Sequence, residues 1–323
     1  MNKFKILSPQ TVLTRTLSIL FLFQEQNVSK GDFTDNPNKL SIIHYQLSID
    51  SYLYPMNIKK HIPNFITILN LVCGVFAILF FVESLRVGDG VFSGCFGGPT
   101  IDERYIYYGI TLILIATLLD FLDGFAARLL KVQSEIGAQL DSLADMVTFG
   151  VAPGFLFYAL IQLIMKYSEF DSLENIKYLF LFIPIFSALR LAKFNIDTEQ
   201  TDYFKGLATP ANAIFWVGMV FFPFFQFMGE IISILFLGIL AIILSLLMVS
   251  NLRMFSLKLK NLKLEGDNIY RVLLIAGAVI LTIIFGLFTN ILAAVPFIIL
   301  LYILLSVSYH YSTRNTKNKK ETT

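Results

Sequence analysis

The run D120-F-L-D-G-F-A-A-R-L-L-K-V-Q-S-E-I-G-A-Q-L-D-S-L-A-D145 decides how this chain is interpreted, because it sets four aspartates between strongly apolar segments. Asp120 and Asp123 are spaced i, i+3, and Asp141 and Asp145 are spaced i, i+4. Each pair therefore shares one face of a helix. The spacing predicts two consecutive helices whose carboxylate faces form one site.

The segments outside this run are apolar enough to cross a membrane. The chain has 323 residues, of which 56% are hydrophobic and 15% charged, whereas a soluble domain carries about 25% charged residues. This composition excludes a soluble enzyme and a disordered chain, and the net charge of +2 is too small for a nucleic-acid-binding surface. We predict an all-α integral membrane protein that binds no nucleic acid.

A membrane-spanning helix needs about 20 apolar residues, so the intervals with little charge can be counted as spans. Two of these intervals are short, and they end at Asp120 and Arg190. Their helices must continue with charged residues at membrane depth, where charge is costly and usually functional. Eight spans are predicted, at residues 62–82, 105–119, 146–165, 178–189, 206–228 and 230–252 and as two spans within 272–313, with a break near Thr289 and Asn290.

The distribution of Lys and Arg predicts the orientation of these spans. Most basic residues outside the spans fall on the side that holds Lys59, Lys60 and the C-terminal tail. Cytoplasmic loops carry the excess of basic residues, so both termini are expected in the cytoplasm. Asp120 and Arg190 then lie at cytoplasmic helix ends, and the site is expected on the cytoplasmic side of the inner membrane.

Four carboxylates at a membrane boundary cannot all be ionised comfortably without a cation. Oxygen-only ligands suit Mg²⁺ or Mn²⁺ rather than zinc, and two such ions can clamp the phosphates of a displacement reaction. We therefore predict two divalent cations held by Asp120, Asp123, Asp141 and Asp145. Helix caps or solvated helix ends would explain one or two of these aspartates, but not two same-face pairs.

The fixed positions of this run match the pattern D-x2-D-G-x2-A-R-x8-G-x3-D-x3-D without a mismatch. On these residues the chain resembles the CDP-alcohol phosphatidyltransferase family of integral membrane enzymes. The resemblance implies a six-helix core, two divalent ions and a CDP-linked lipid donor. It implies that Asp120, Asp123 and Asp141 bind metal, with Asp145 near both metal and acceptor. The residues implied to line the CDP site are Asp120, Gly124, Ala127, Arg128 and Gly137.

The same resemblance predicts how the chain is divided. Residues 56–255 would form the six-helix catalytic core, 256–311 two additional spans, and 312–323 a basic cytoplasmic tail. Residues 1–55 do not fit this plan, because they contain no apolar span of sufficient length and no credible signal-peptide cleavage site. We expect them to be a disordered extension, or the result of a translation start assigned too far upstream.

The acceptor hydroxyl in such a reaction needs a base. The chain has three histidines: His44 lies in the extension, His310 near the C-terminal tail and His61 just before the first span. None is placed beside the aspartates, so Asp145 is predicted to be the general base.

The first predicted span contains Asn64, Thr67 and Asn70, which are candidate acceptor or phosphate ligands. Relatives that use glycerol 3-phosphate resemble this run but carry Arg where this chain has Asn70. An acceptor with a phosphate needs a cation, so Asn70 favours an acceptor without one. The alternative is that Asn70 makes an interhelical hydrogen bond.

Four other runs resemble the phosphatidylserine synthase branch of the family, which implies CDP-diacylglycerol and L-serine as substrates. These runs are residues 141–154, 188–195, 206–212 and 247–255. Arg190 and Lys193, spaced i, i+3, could bind the donor phosphate or the serine carboxylate, unless they are ordinary basic anchors at the membrane surface.

Two rival functions remain open at this point. One is the same family with glycerol 3-phosphate or inositol phosphate as acceptor. The other is a cation transporter that uses the aspartates as its ion site, although transporter sites usually lie near the membrane midplane within repeats. Besides the lipid bilayer, a second copy of the chain in a homodimer is a possible partner.

Overall fold

The computed structural model describes residues 61–85, 102–132, 134–165, 171–197, 203–223, 227–255 and 268–321. The predictions for residues 1–55, and those that use Lys59 and Lys60, lie outside the described residues. Nine α-helices occur in the described ranges, and they are numbered here in chain order: α1 (Ile62–Ser84), α2 (Glu103–Leu130), α3 (Glu135–Asp145), α4 (Ala152–Met165), α5 (Phe182–Ile196), α6 (Thr209–Met219), α7 (Glu230–Met248), α8 (Asn268–Phe288) and α9 (Val295–Glu321).

Short elements join some of these helices. A six-residue π-helical turn, Met146–Val151, connects α3 to α4 without a break. Two 3₁₀ helices, Asp171–Leu181 and Ile291–Ala294, precede α5 and α9. Strands β1 (Tyr203–Lys205) and β2 (Arg253–Phe255) pair antiparallel. The sequence did not predict this pair, because three residues are too few for an alternating pattern to be recognised.

Seven helical segments of the described chain are long and apolar enough to cross a bilayer. The chain is a multi-pass, all-α integral membrane protein apart from the short strand pair. As predicted for the two short apolar intervals, α2 continues past Asp120 to Leu130, and α5 continues past Arg190 to Ile196. The charged residues are therefore part of the spanning helices themselves.

The eighth predicted span, residues 206–228, is not confirmed by helix length. Its helix α6 has 11 residues, about 16 Å at 1.5 Å per residue, or roughly half of the hydrocarbon thickness. The strand pair nevertheless favours a crossing. Lys205 is paired with Arg253, so the chain before α6 and the chain after α7 lie at the same level. Because α7 is long enough to cross, residues 206–229 would have to cross as well. Eight spans therefore stay a prediction.

The predicted break between the last two spans is confirmed. Helix α8 ends at Phe288, and the side chain of Asn290 accepts a hydrogen bond from the Leu292 backbone N–H at 2.9 Å. This cap satisfies a backbone donor at the start of the next helical segment. Helix α9 then runs to Glu321 and includes most of the predicted basic tail.

Two features fix the start and the packing of α2. The Asp102 side chain accepts hydrogen bonds from the backbone and guanidinium of Arg104, and the guanidinium holds the pKa of Asp102 below its usual value. Along the helix, Gly109 lies against the ring of Phe81 in α1, where a Cβ would collide with it. The close contact holds α1 and α2 side by side.

The core lies where α4, α6 and α7 meet α1 and α2. Phe157 and Trp216 are fully buried there and pack edge to face, with ring centroids 5.1 Å apart. Large apolar side chains on the outer faces, such as Phe65, Phe76 and Leu118, are exposed. An outward apolar surface is what a lipid environment requires, because lipid tails solvate it and water does not.

Candidate active site

The connection between α2 and α3 turns the chain so that the two aspartate pairs face each other. Lys131, which follows α2, has a left-handed backbone with φ 52°, and this ends the helix. Ser134 then starts α3, because its side chain accepts a hydrogen bond from the backbone N–H of Gly137 at 3.0 Å. The left-handed Lys131 and the Ser134 cap are only three residues apart, so the end of α2 lies beside the start of α3.

Three of the four predicted carboxylates converge. Oxygen atoms of Asp120, Asp141 and Asp145 all lie within 4.8 Å of one another. Oδ1 of Asp145 is buried and has no hydrogen-bond partner among the residues that the structure describes. Carboxylates this close repel one another unless a cation or a proton lies between them.

Asp123 lies outside this group of three. It is 5% exposed, and its Oδ2 accepts a hydrogen bond from the hydroxyl of Thr67 in α1 at 2.8 Å. Asp123 and Asp141 both line the cavity described next. Thr67 thus fixes the orientation of Asp123 towards the same site from a different helix.

A cavity of about 550 Å³ opens beside the aspartates, between α1 and the α2–α3 corner. Most of the residues predicted for the donor site line it. Its wall includes four of the five residues predicted for the CDP site, Gly124, Ala127, Arg128 and Gly137, and the predicted metal ligands Asp123 and Asp141. Asn64 and Thr67, which were predicted as acceptor or phosphate ligands, line this same cavity. We call this space the donor-side cavity. A Cβ on residue 124 would meet only the guanidinium of Arg128, at 3.8 Å, so Gly124 leaves room for a ligand rather than for protein.

A second cavity, of about 320 Å³, lies on the other side of the site, between α5 and the end of α7. Arg190, Lys193 and Lys205 line it, and we call it the basic cavity. The Lys193 ammonium donates to the carbonyl oxygen of Val249 at 3.0 Å, and Lys205 forms a 2.7 Å ion pair with Asp197. Two of the three cations therefore have protein partners already.

Arg190 connects the basic cavity to the aspartates. Its guanidinium attracts the carboxylate of Asp145 electrostatically and donates a hydrogen bond to the Thr209 hydroxyl at 3.2 Å. It also lies over the ring of Phe194, 5.1 Å from the centroid. Arg190 thus lines the basic cavity and is close enough to Asp145 to interact with it electrostatically.

The donor set fits a hard divalent cation. All three grouped residues offer carboxylate oxygens, the ligand type that Mg²⁺ and Mn²⁺ prefer. The buried and unpaired oxygen of Asp145 is a further sign, since buried polar atoms normally have partners. Asp120, Asp141 and Asp145 would hold such an ion. Asp123, which lines the donor-side cavity, would be a ligand of a second ion.

Asn70 lies away from both cavities. It is fully buried in α1, and neither atom of its carboxamide has a hydrogen-bond partner within the described structure. Its backbone carbonyl oxygen accepts a hydrogen bond from Thr148 at 3.3 Å. The interhelical hydrogen bond considered as an alternative role is therefore made by the Asn70 backbone and not by its side chain.

Sequence reasoning gave no role to Thr209, which accepts a hydrogen bond from Arg190, or to Asn212, which lies one turn further along α6. Both lie in the run Gly206–Asn212, where the resemblance was noticed without a chemical reason. The polar pair Ser142 and Asn195, linked at 3.0 Å across α3 and α5, was missed in the same way. Single polar residues at the ends of apolar helices carry no spacing signal, so only their contacts reveal them.

Comparison with known proteins gives the family. The model of the CDP-alcohol phosphatidyltransferase family matches residues 60–252. The chain belongs to the CDP-alcohol phosphatidyltransferase family. The match covers the four aspartates and both cavities, so the resemblance predicted from the D-x2-D-G run is confirmed.

Several curated relatives from this phosphatidyltransferase family carry the name CDP-diacylglycerol–serine O-phosphatidyltransferase. The protein from Helicobacter pylori J99 is 33% identical over 178 residues, covering 54% of this chain and 72% of the relative. The protein from Bacillus subtilis is 34% identical over 151 residues, covering 47% and 70%. The protein from Methanocaldococcus jannaschii is 32% identical over 192 residues, covering 59% and 72%.

Proposed function

We propose that this chain transfers the phosphatidyl group of CDP-diacylglycerol to L-serine, giving phosphatidylserine and CMP. The observation that carries the proposal is a group of aspartates served by two separate cavities. Asp123 and Asp141 line the donor-side cavity, and Arg190, whose charge acts on Asp145, lines the basic cavity. The two cavities offer separate places for two substrates. Bacterial and archaeal relatives named for this reaction support serine as the acceptor.

The donor-side cavity would hold the CDP part of the donor. Gly124 allows close approach of a nucleotide to the helix backbone, and Arg128 offers a guanidinium for phosphate oxygens. The apolar outer faces of α1 and α2 would leave the two acyl chains in lipid. This assignment makes residues of α1, α2 and α3 responsible for donor affinity.

Divalent cations would be held by Asp120, Asp141 and Asp145, with Asp123 at a second position. When bound, they supply charge neutralisation for the pyrophosphate and for the oxygen that leaves with CMP. Removing the metal should therefore abolish transfer and weaken nucleotide binding.

The acceptor would enter through the basic cavity, with its carboxylate paired to Arg190. Its hydroxyl oxygen attacks the phosphorus attached to diacylglycerol, while the bond from that phosphorus to the bridging oxygen of CMP breaks. The hydroxyl proton passes to Asp145, the proposed general base. Arg190 supplies the positive charge that an acceptor carboxylate requires.

The predicted orientation completes the proposal. The motif end of α2 and the Arg190 end of α5 would face the cytoplasm, where CMP is released and free serine is available. The inner membrane and the cytoplasmic position of both termini rest on the distribution of Lys and Arg. A homodimer is a further prediction.

The test is transfer by the purified protein in detergent with CDP-diacylglycerol, Mg²⁺ or Mn²⁺ and isotope-labelled serine. We expect labelled phosphatidylserine and an equal amount of CMP. Parallel reactions with glycerol 3-phosphate and inositol phosphate should give little product, because no second free cation is available beside Asp145 among the described lining residues. Product from a phosphorylated acceptor, with none from serine, would contradict the proposal and show that the acceptor is the phosphorylated one.

A further inference from the structure

A second polar layer lies one helical turn beyond the site residues. On α1, Thr67 is followed three residues later by Asn70. On the helix that contains Asp145, Thr148 follows at the same interval, and on α6 Asn212 follows Thr209 in the same way. Three residues advance a helix by about 4.5 Å. On each of three separate helices, a residue at the site is therefore followed, one turn deeper in the membrane, by a second polar residue.

All three residues of this second layer, Asn70, Thr148 and Asn212, are fully buried. The hydroxyl of Thr148 donates to the Asn70 backbone. The carboxamides of Asn70 and Asn212 have no partner for either their nitrogen or their oxygen within the described structure. Buried polar groups are normally hydrogen bonded, so each of these unpaired carboxamides is a candidate to bind a polar ligand.

The backbone between the two carboxamides is unusual as well. The π-helical turn Met146–Val151 contacts α1, α5 and α6. Such turns occur mostly at functional sites, because the extra residue per turn redirects side chains. Gly74 packs directly on Thr148, and Gly150 packs on Ser187 of α5. The turn is therefore fixed tightly on two sides, while the carboxamides beside it remain without partners.

We propose that Asn212 forms the floor of the acceptor site and binds the ammonium group of the amino-acid acceptor. This inference rests on the proposed function. Arg190 donates to Thr209 one turn above Asn212 and is the cation suited to the acceptor carboxylate. The ammonium group on the same acceptor carbon then needs an oxygen acceptor nearby, and the carboxamide oxygen of Asn212 supplies one without adding charge. A neutral floor also gives no attraction to a phosphorylated acceptor.

The test measures KM for serine and KM for CDP-diacylglycerol separately in Asn212→Leu, which has a similar size but no polar atoms. We expect KM for serine to rise by about tenfold or more, with KM for CDP-diacylglycerol within about twofold of the wild type. Asn212→Ala removes the carboxamide without adding bulk, and it gives the same comparison if the Leu variant does not accumulate in the membrane.

Ser245→Ala is the matched control, because Ser245 is also a fully buried side chain without a partner in the described residues but lies on α7, outside the layer. It should leave both KM values unchanged. An unchanged KM for serine in the Asn212 variants, or an equal rise in both KM values, would overturn the inference and leave Asn212 a structural residue. Absence of serine transfer by the wild type would instead contradict the proposed function itself.

Discussion

The donor side and the acceptor side of the site are built in different ways. The donor-side cavity takes nearly all of its lining from one continuous stretch, the α2–α3 corner, with α1 closing it. The basic cavity, which we propose to hold the acceptor, is lined by α5, by Lys205 of β1 and by the end of α7, and these residues lie far apart in sequence. A nucleotide and its metal need several ligands at fixed short spacing, whereas a small zwitterion can be bound by single residues from separate helices.

The largest effect is expected where the two sides meet. Asp145→Asn should lower kcat by a factor of about 10²–10⁴, the usual contribution of a general base. Binding of CDP-diacylglycerol should be largely retained, since Asp120, Asp123 and Asp141 remain. Turnover with labelled serine and equilibrium binding of a CDP-lipid measure the two quantities. Near-normal turnover would show that Asp145 is not the base.

Asp123→Asn should weaken the donor side itself. Removing this charge is expected to raise the metal concentration needed for half-maximal activity and to raise KM for CDP-diacylglycerol, each by about tenfold or more. KM for serine should change much less. Thr67→Val serves as the milder partner variant, because it removes only the hydrogen bond to Asp123. A change confined to KM for serine would mean that Asp123 acts on acceptor binding and not on donor binding.

Arg190→Gln should affect the acceptor side. Loss of the guanidinium is expected to raise KM for serine by about tenfold or more and to lower kcat, because Arg190 also faces Asp145. Lys193→Gln is the control, since Lys193 is exposed and its ammonium already bonds to the Val249 carbonyl. Equal effects of both substitutions would mean that the overall positive charge matters, not the electrostatic interaction of Arg190 with Asp145.

Gly124→Ala should have the smallest effect of these variants, and it separates a ligand contact from a packing contact. The added Cβ would reach only the flexible guanidinium of Arg128, at 3.8 Å, so the protein should fold normally. KM for CDP-diacylglycerol is expected to rise several-fold, about three- to tenfold, because the methyl group enters the donor-side cavity. Unchanged thermal stability in detergent, together with that rise, is the combined result we expect. Unchanged donor KM would mean that CDP does not approach Gly124.

Asn70→Arg addresses acceptor choice. A guanidinium in this buried position should lower the use of serine and favour a phosphorylated acceptor, because it adds the cation that a phosphate requires. Competition between serine and glycerol 3-phosphate for one donor measures the change. Retained serine preference would mean that selection is made around Arg190 and Asn212 instead.

The sequence predicted the aspartate group well. The spacing of Asp120, Asp123, Asp141 and Asp145 predicted two facing carboxylate pairs, and the structure brings oxygen atoms of Asp120, Asp141 and Asp145 within 4.8 Å of one another. The break before the last span was also predictable, since Asn290 is a common helix cap. Such features depend on residues that are close in sequence, where helix geometry alone fixes which side chains share a face.

The sequence predicted the proposed acceptor side and the number of spans less well. Helix α6 is too short to be recognised as a span by length, and the pairing of β1 with β2 involves residues about fifty positions apart. Asn212 appeared in the sequence only as part of a family-like run. Its burial without a partner depends on how α6 packs against the turn after Asp145.

The amino-acid sequence by itself determined the membrane class, the helical architecture and the carboxylate motif, because composition and helical periodicity act locally along the chain. Only the tertiary structure decided that Asp123 is oriented by Thr67, that Arg190 joins the basic cavity to Asp145, and that a layer of buried carboxamides lies beneath them. These relations arise from contacts between helices, and their energy depends on burial and distance in space rather than on spacing in the sequence.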